Sequence, residues 1–140
     1  MSLLRLVQYL WTSPNTLLGL AMLPSALASR GEIRVVCGVL EVNSPLISSL
    51  FDRLLLRWGG TSAITLGHVV LGRSREALEV TRMHERVHVR QYELWGPFFI
   101  PCYLLSSLLA YRRGKDPYLD NLFERKAYEQ AEACRARAGQ

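Results

Sequence analysis

The chain begins with apolar residues that recur every three or four positions, namely Leu3, Leu4, Val7, Leu10 and Trp11. Polar side chains lie between them, so the pattern predicts a short amphipathic helix. Ser13-Pro14 is a typical N-cap and first-turn pair, and it predicts that a second helix begins there. This second helix is expected to weaken at Pro24 and to end by Gly31, giving an apolar, helical N-terminal segment over residues 1–30.

The period of the pattern then changes from helical to alternating. Residues 32–42 alternate and are rich in β-branched side chains, with Cys37-Gly38 at their centre, so they predict a β-hairpin. Ser44-Pro45 predicts the start of a further helix, which Gly59-Gly60 would end. Residues 62–72 predict one more strand, bulged at Gly67.

The second half of the chain is predicted to be helical. Ser74 is a suitable cap for a helix that would run to Trp95, because Gly96-Pro97 cannot continue it. Residues 98–111 form an almost wholly apolar helical stretch, which Pro101 is expected to break. Asp116-Pro117 would start the final helix. The expected fold is a single α+β domain over residues 1–140, mostly helical, with a short sheet before the Ser74 helix.

Composition and charge narrow the classes of function. Apolar residues make up 49% of the chain and charged residues 21%, which excludes a disordered protein. The net charge is +5, but the basic residues are scattered and have no aromatic platform among them, so nucleic-acid binding is not expected. A basic, apolar protein is better suited to an anionic membrane surface. Three widely spaced cysteines predict neither a disulfide framework nor a thiolate metal site, and they favour a reducing compartment.

Residues 17–28 leave two interpretations open. They are apolar and end in Ala26-Leu27-Ala28, which has the small-x-small form of a signal cleavage site. The run is too short to span a bilayer alone, and a single Arg5 precedes it. An interfacial or core helix is therefore favoured over a cleaved signal peptide.

The chemistry centres on residues 83–93, MHERVHVRQYE, which contain His84, Glu85 and His88 in the order H-E-x-x-H. Residues four apart share one face of a helix, so both imidazoles can face one metal ion. Zn²⁺ accepts neutral imidazole nitrogen, and its catalytic sites commonly have three protein ligands and a water. Glu85 could then take a proton from that water.

Such a site needs a third ligand from elsewhere in the chain. The additional histidine of the metzincin pattern is absent, and Gln91 stands where that pattern has glycine. Glu124 lies 36 residues after His88 in a predicted helix, and we rank it first. Glu93 should be rotated off the metal-binding face, while Glu129 and Glu132 are more distant candidates.

The segments HERVHVRQYELWGPFFIPCYLL and DPYLDNLFERKAY resemble gluzincin-type zinc metallopeptidases, and more closely small bacterial gluzincin-like proteins. The resemblance is carried by residues 83–128 and extends to the strands predicted over residues 32–72. It implies that His84, His88 and Glu124 ligate Zn²⁺, that Glu85 is the general base, and that the substrate is a peptide or protein. Many gluzincins have an aspartate four residues after the ligand glutamate, which orients a ligand histidine. This chain has Tyr128 there, and Asp120 or Asn121, in the preceding turn, could substitute for that aspartate.

Two further residues are candidates for catalysis. His68 lies in the strand predicted over residues 62–72, where a half-buried structural histidine is the favoured interpretation. In gluzincins a strand beside the cleft can hold substrate, and His68 could then face the cleft and stabilise the oxyanion. Tyr92, one turn after His88, is the second candidate, although packing is its commoner role. Gln91 could hydrogen-bond the backbone near the ligand glutamate, or be a polar residue on the surface without a role in the site.

Three functions follow from these patterns. The first is a zinc-dependent peptidase that is cytoplasmic, and peripheral at the inner membrane if its apolar helices bind lipid. The second is a protein that binds zinc without catalysis. The third is a membrane-interfacial structural protein, in which the apolar helices are the functional part.

Overall fold

The computed structural model describes residues 2–55 and 61–139 and confirms an α+β fold. The described helices are α1 (Leu3–Leu20), α2 (Leu23–Ala28), α3 (Pro45–Leu55), α4 (Arg75–Trp95), a 3₁₀ turn (Gly96–Phe98), α5 (Phe99–Arg112) and α6 (Leu122–Ala138). The described strands are β1 (Glu32–Val36), β2 (Val39–Asn43), β3 (Ala63–Leu66) and β4 (Val69–Gly72). The end predicted for α3, at Gly59-Gly60, lies outside the described residues.

The four strands form one mixed sheet in the order β1-β2-β4-β3. The hairpin predicted over residues 32–42 is confirmed, since β1 and β2 pair antiparallel around Cys37 and Gly38. Both turn residues have positive φ, 48° and 78°, as a tight two-residue hairpin requires. β2 pairs parallel with β4 and β4 antiparallel with β3, so β3 is an edge strand of the described sheet.

The single strand predicted over residues 62–72 is wrong, because this stretch folds into a second hairpin, β3–β4. Leu66 pairs with Val69, so Gly67 and His68 form a two-residue turn. Gly67 has φ +63°, the conformation that glycine adopts at the first central position of such a turn. β4 is buried along its whole length, so the apolar residues on both sides of the turn read as one continuous strand and concealed the reversal of the chain.

The helix start predicted at Ser13-Pro14 is also wrong, since α1 continues through Pro14. A proline inside a helix leaves the carbonyl four residues earlier without its N–H donor. Here the Ser13 hydroxyl donates to that carbonyl, on Leu10, at 2.7 Å. Because the hydroxyl replaces the missing N–H donor, one helix of 18 residues forms where two were expected.

The prediction for α4 is confirmed at both ends. The Ser74 hydroxyl accepts a hydrogen bond from the Ala77 N–H at 3.1 Å, and the helix ends at Trp95 before Gly96, whose φ is +53°. Both signals are local, since a cap acts within one turn of its helix.

The later helices depart from the prediction in two details. Pro101 is the third residue of α5 and does not break it, because the first turn needs no backbone N–H bonds. Asp116-Pro117 forms a turn, in which the Asp116 carboxylate accepts from two backbone N–H groups, and does not start α6. Asn121 caps α6, and its side chain accepts from the Phe123 N–H.

Helix α1 packs across the junction between α4 and α5. The Asn15 side-chain amide donates to the Gly96 carbonyl at 2.7 Å, and the Thr12 hydroxyl donates to the Tyr92 carbonyl at 3.4 Å. Both polar side chains are buried. Gly96 lies so close to Trp11 that a Cβ atom added there would lie 2.3 Å from the indole ring. This packing holds the C-terminal half of α4 in place.

We predict that Gly96→Ala lowers the free energy of unfolding by at least about 2 kcal/mol, because a methyl group there combines strained backbone with a clash against Trp11. Gly114→Ala is the matched control, since Gly114 also has positive φ, +70°, but a Cβ atom there would meet nothing within 4 Å. Its expected cost is about 1 kcal/mol, from the backbone alone. Urea unfolding of both variants measures the difference, and equal costs would contradict the packing of Trp11 on Gly96.

Candidate metal centre

Helices α4 and α6 bring three buried ligand-type side chains together. His84 and His88 lie one turn apart on α4, and their Nε2 atoms are 3.0 Å apart. Glu124, in the first turn of α6, has its Oε2 atom 3.1 Å from the His84 Nε2 and its Oε1 atom 3.4 Å from the His88 Nε2. Ala127 and Ala131 are buried further along α6, and their small side chains allow the helices to approach closely.

These three side chains could hold one metal ion. Each offers one ligand atom, and all these atoms lie within 4.8 Å of one another. For ligand atoms about 2.1 Å from a tetrahedral metal ion, neighbouring ligand atoms are about 3.4 Å apart. The nitrogen–nitrogen and nitrogen–oxygen distances of 3.0, 3.1 and 3.4 Å are close to that value.

The other carboxylates considered as a third ligand lie elsewhere. Glu93 is turned away from the cluster, with its Oε1 atom 3.1 Å from the His68 Nε2. Glu129 and Glu132 are exposed on α6. Among the described residues, the structure thus brings the first-ranked candidate, Glu124, to the two histidines.

Gln91 orients the second histidine. Its side-chain oxygen lies 2.9 Å from the His88 Nδ1, and its side-chain nitrogen donates to the Phe123 carbonyl at 3.0 Å. An amide oxygen can only accept, so the His88 Nδ1 carries a proton and the Nε2 lone pair is directed at the cluster. Of the two interpretations of Gln91, the structure supports the hydrogen bond to the backbone beside Glu124.

Tyr103 holds the carboxylate of Glu124, a role that the sequence did not indicate. Its hydroxyl donates to the Glu124 Oε1 at 2.7 Å. Burial raises the pKa of Glu124, but the bonds from His84, His88 and Tyr103 outweigh it and lower the pKa to about 2. The carboxylate is therefore ionised across the physiological range. An aromatic residue in an apolar helix gives no sequence signal for such a contact.

Glu85 lies beside the cluster without belonging to it. It is buried, and its Oε2 atom accepts a hydrogen bond from the Thr65 hydroxyl on β3 at 2.7 Å. Thr65 fixes the direction of the carboxylate and was not predicted. The link joins α4 to the edge strand of the sheet.

His84 has a different environment from His88. The ring of Tyr128 lies 4.4 Å from its ring, between centroids, and the His84 Nδ1 is buried without a hydrogen bond to any described residue. Neither predicted substitute reaches it. Asn121 caps α6 and donates to the Tyr103 carbonyl and the Ser107 hydroxyl, while Asp120 accepts from the Asp116 N–H. The expectation that Asp120 or Asn121 orients a ligand histidine is therefore corrected.

The two additional catalytic candidates occupy different places. His68 lies in the β3–β4 turn, packs against the ring of Tyr9 at 4.3 Å and faces Glu93, so the structure does not bring it to the cluster. Tyr92 does line the cavity around the cluster, and its ring also packs against Phe99 at 4.1 Å. Burial, and then the charge of Glu85, raise the pKa of Tyr92, which keeps its hydroxyl protonated.

Two cavities meet at His84 and Glu85. The first, of about 310 Å³, extends along α5 and is mainly apolar, with a lining that includes Leu66, Phe99, Ile100 and Leu104. The second, of about 510 Å³, extends towards the end of α6 and is more polar, with Thr61, Thr81, Asp116 and Arg135 in its lining. Residues of β3 line both cavities. The cluster therefore lies within a cleft that follows the edge strand.

No protein-family model, curated protein or solved structure matches this chain. The resemblance to gluzincins therefore stays a prediction from residues 83–128. Function has to be inferred from the described side chains.

We predict that Gln91→Leu weakens metal binding by about 10- to 100-fold, because the His88 Nδ1 would lose its acceptor and the ring its orientation. Competition with a chromogenic chelator measures the affinity. Gln130→Leu is the control, since Gln130 is exposed on α6. An unchanged affinity in Gln91→Leu would show that His88 does not depend on this hydrogen bond.

Proposed function

We propose that the protein is a zinc-dependent peptidase in which His84, His88 and Glu124 bind the metal and Glu85 is the general base. The observation that carries this proposal is the position of Glu85. Its carboxylate is buried beside the three ligand-type side chains and lines the same cavities. A structural metal site has no need of a second, uncoordinated carboxylate held by a hydrogen bond from Thr65.

The set of donor atoms supports zinc. Two imidazole nitrogens and one carboxylate oxygen are typical ligands of catalytic zinc, which keeps one further position for water or substrate. Bound there, Zn²⁺ would lower the pKa of a water molecule and polarise the substrate carbonyl. Glu85 would accept the proton of the attacking water and pass it to the leaving amine.

The cleft supports a peptide substrate. β3 is an edge strand of the described sheet, so its free backbone groups can pair with an extended peptide. A peptide on β3 would cross His84 and Glu85 with one end in the apolar cavity and the other in the polar cavity. Tyr92 and Tyr118 both line the cleft, and burial raises the pKa of each, so their hydroxyls remain hydrogen-bond donors for the substrate.

The second candidate function is metal binding without catalysis. It is favoured by Tyr128, whose ring covers one side of His84 at 4.4 Å, where gluzincins often have an aspartate. An aromatic ring cannot accept the Nδ1 proton as a carboxylate does, so it would not strengthen the ligand in the same way. The two functions differ in turnover and not in metal content.

We predict that the purified protein holds one Zn²⁺ and that Glu124→Ala loses it, because two neutral imidazoles alone cannot replace a three-ligand site. Metal analysis after dialysis measures the content. Glu129→Ala, on the exposed face of the same helix, should keep the metal. Full zinc content in Glu124→Ala would contradict the proposed ligand set.

We predict that Glu85→Gln keeps zinc and fold but lowers peptide cleavage by at least about 10²-fold, because glutamine cannot accept the proton. Cleavage of an unstructured peptide library, followed by mass spectrometry, measures the rate. Glu79→Gln, on the exposed side of α4, should cleave as the wild type does. If the zinc-loaded wild type cleaves nothing, the protein binds metal without catalysis.

A further inference from the structure

The net charge of the chain comes entirely from two apolar segments. Residues 1–31 and 94–115 contain no acidic residue, and their basic residues are Arg5, Arg30, Arg112, Arg113 and Lys115. These five account for the net charge of +5, so the remainder of the chain, which contains the metal centre, is neutral. The excess positive charge is therefore confined to the two apolar segments of the chain.

The first segment exposes an apolar face. Leu3, Val7 and Leu10 follow one another at helical spacing on α1, and their exposures are 77, 53 and 65%. Arg5 is the only charged residue in α1. Among the described residues, no other element covers this face.

The second segment continues that face. Trp11 packs its ring 6.1 Å from that of Phe98, between centroids, and its indole nitrogen donates to the Leu94 carbonyl at 3.4 Å. Leu94 is 75% exposed and Phe98 60%, so the contact between the two segments is itself a patch of exposed apolar side chains. The face therefore extends without interruption from α1 to the start of α5.

Helix α5 extends the exposed apolar face and ends in basic residues. Leu105 and Leu108 of α5 lie on the same side as Phe98, which directly precedes the helix, and all three are exposed. Arg112 and Arg113 follow at its C-terminus and are also exposed. Aromatic, leucine and arginine side chains in this arrangement are typical of helices that lie in the boundary between headgroups and acyl chains.

We propose that this face, formed by α1, the 3₁₀ turn and α5, docks the protein on the surface of an anionic lipid bilayer. The five cations supply the charge complementarity, because they lie in the same two apolar segments and no acidic residue lies in either segment. A second copy of the chain is the alternative occupant. A symmetric dimer through this face would bring two sets of five like charges together, which opposes its formation.

The mode of binding is docking and not spanning. Within the helical stretch Arg75–Arg112, one window of 18 residues has a mean hydropathy of 1.4, which is apolar enough for a membrane-crossing helix. However, α4 within it carries the buried metal centre, and α5 alone has 14 residues. Fourteen residues reach about 21 Å, which is less than the hydrocarbon thickness of about 30 Å.

Flotation of the full-length protein with vesicles tests the proposal. We expect it to bind vesicles of equal parts phosphatidylcholine and phosphatidylglycerol at least about tenfold more strongly than vesicles of phosphatidylcholine alone, and less strongly as salt is raised. Arg112→Gln with Arg113→Gln should weaken binding at least about tenfold. Arg125→Gln with Lys126→Gln, an exposed basic pair on α6, should not.

A second pair of variants tests the apolar contact. Leu10→Gln with Phe98→Gln should weaken binding at least about tenfold, whereas Val35→Gln, an exposed valine on β1, should leave it unchanged. Circular dichroism and the melting temperature verify the fold of every variant, so a loss of binding with the fold retained supports the proposal. Equal binding to both kinds of vesicle overturns it. So does a dimer in solution that binds no vesicle and dissociates on Leu10→Gln with Phe98→Gln.

Discussion

The buried carboxylate of Glu124 is the constraint on which the arrangement of the helices depends. An ionised carboxylate that is almost completely buried has to be compensated, since an unpaired charge in the interior costs several kcal/mol. Two imidazoles from α4 and the Tyr103 hydroxyl from α5 supply the compensation. Because these partners come from different helices, satisfying one charge fixes the mutual position of α4, α5 and α6. The same arrangement brings three ligand-type atoms close to one point. The contacts that compensate the charge of Glu124 are therefore also the contacts that form the candidate metal site.

How much of the fold the sequence predicts depends on the range of the signal. Helix α4 was predicted to the residue because Ser74 and Gly96 act on the backbone within one turn. The helix start predicted at Pro14 was wrong because the Ser13 hydroxyl replaces the missing N–H donor. The spacing of apolar residues gives no information about such a hydrogen bond. The β3–β4 turn at Gly67 was missed because β4 is buried along its whole length and shows no alternation.

The residues of the candidate site also differ in whether a local signal predicts them. His84 and His88 were predicted to converge because their spacing is a property of the helix itself. Glu124 lies 36 residues away, so its contact with them depends on tertiary packing, and spacing could only rank it above its alternatives. The contacts of Tyr103 and Thr65 could not be predicted from the sequence, because tyrosine is common in apolar helices and threonine is common in strands. His68 was a plausible candidate only while its segment was interpreted as one strand, and the turn directs it to Glu93 instead.

Helix α5 connects the candidate metal centre with the exposed apolar face. Tyr103 points to Glu124, while Leu104, its neighbour in sequence, lines the apolar cavity and is also 61% exposed. Adjacent residues of a helix differ in direction by about 100°, so α5 can serve the site with one side and the surface with another. If α5 lies against lipid, Leu104 places the apolar end of the cleft at the lipid boundary. If both proposals hold, a peptide entering that end would come from the membrane side, so the substrate we propose is an extended segment close to the bilayer.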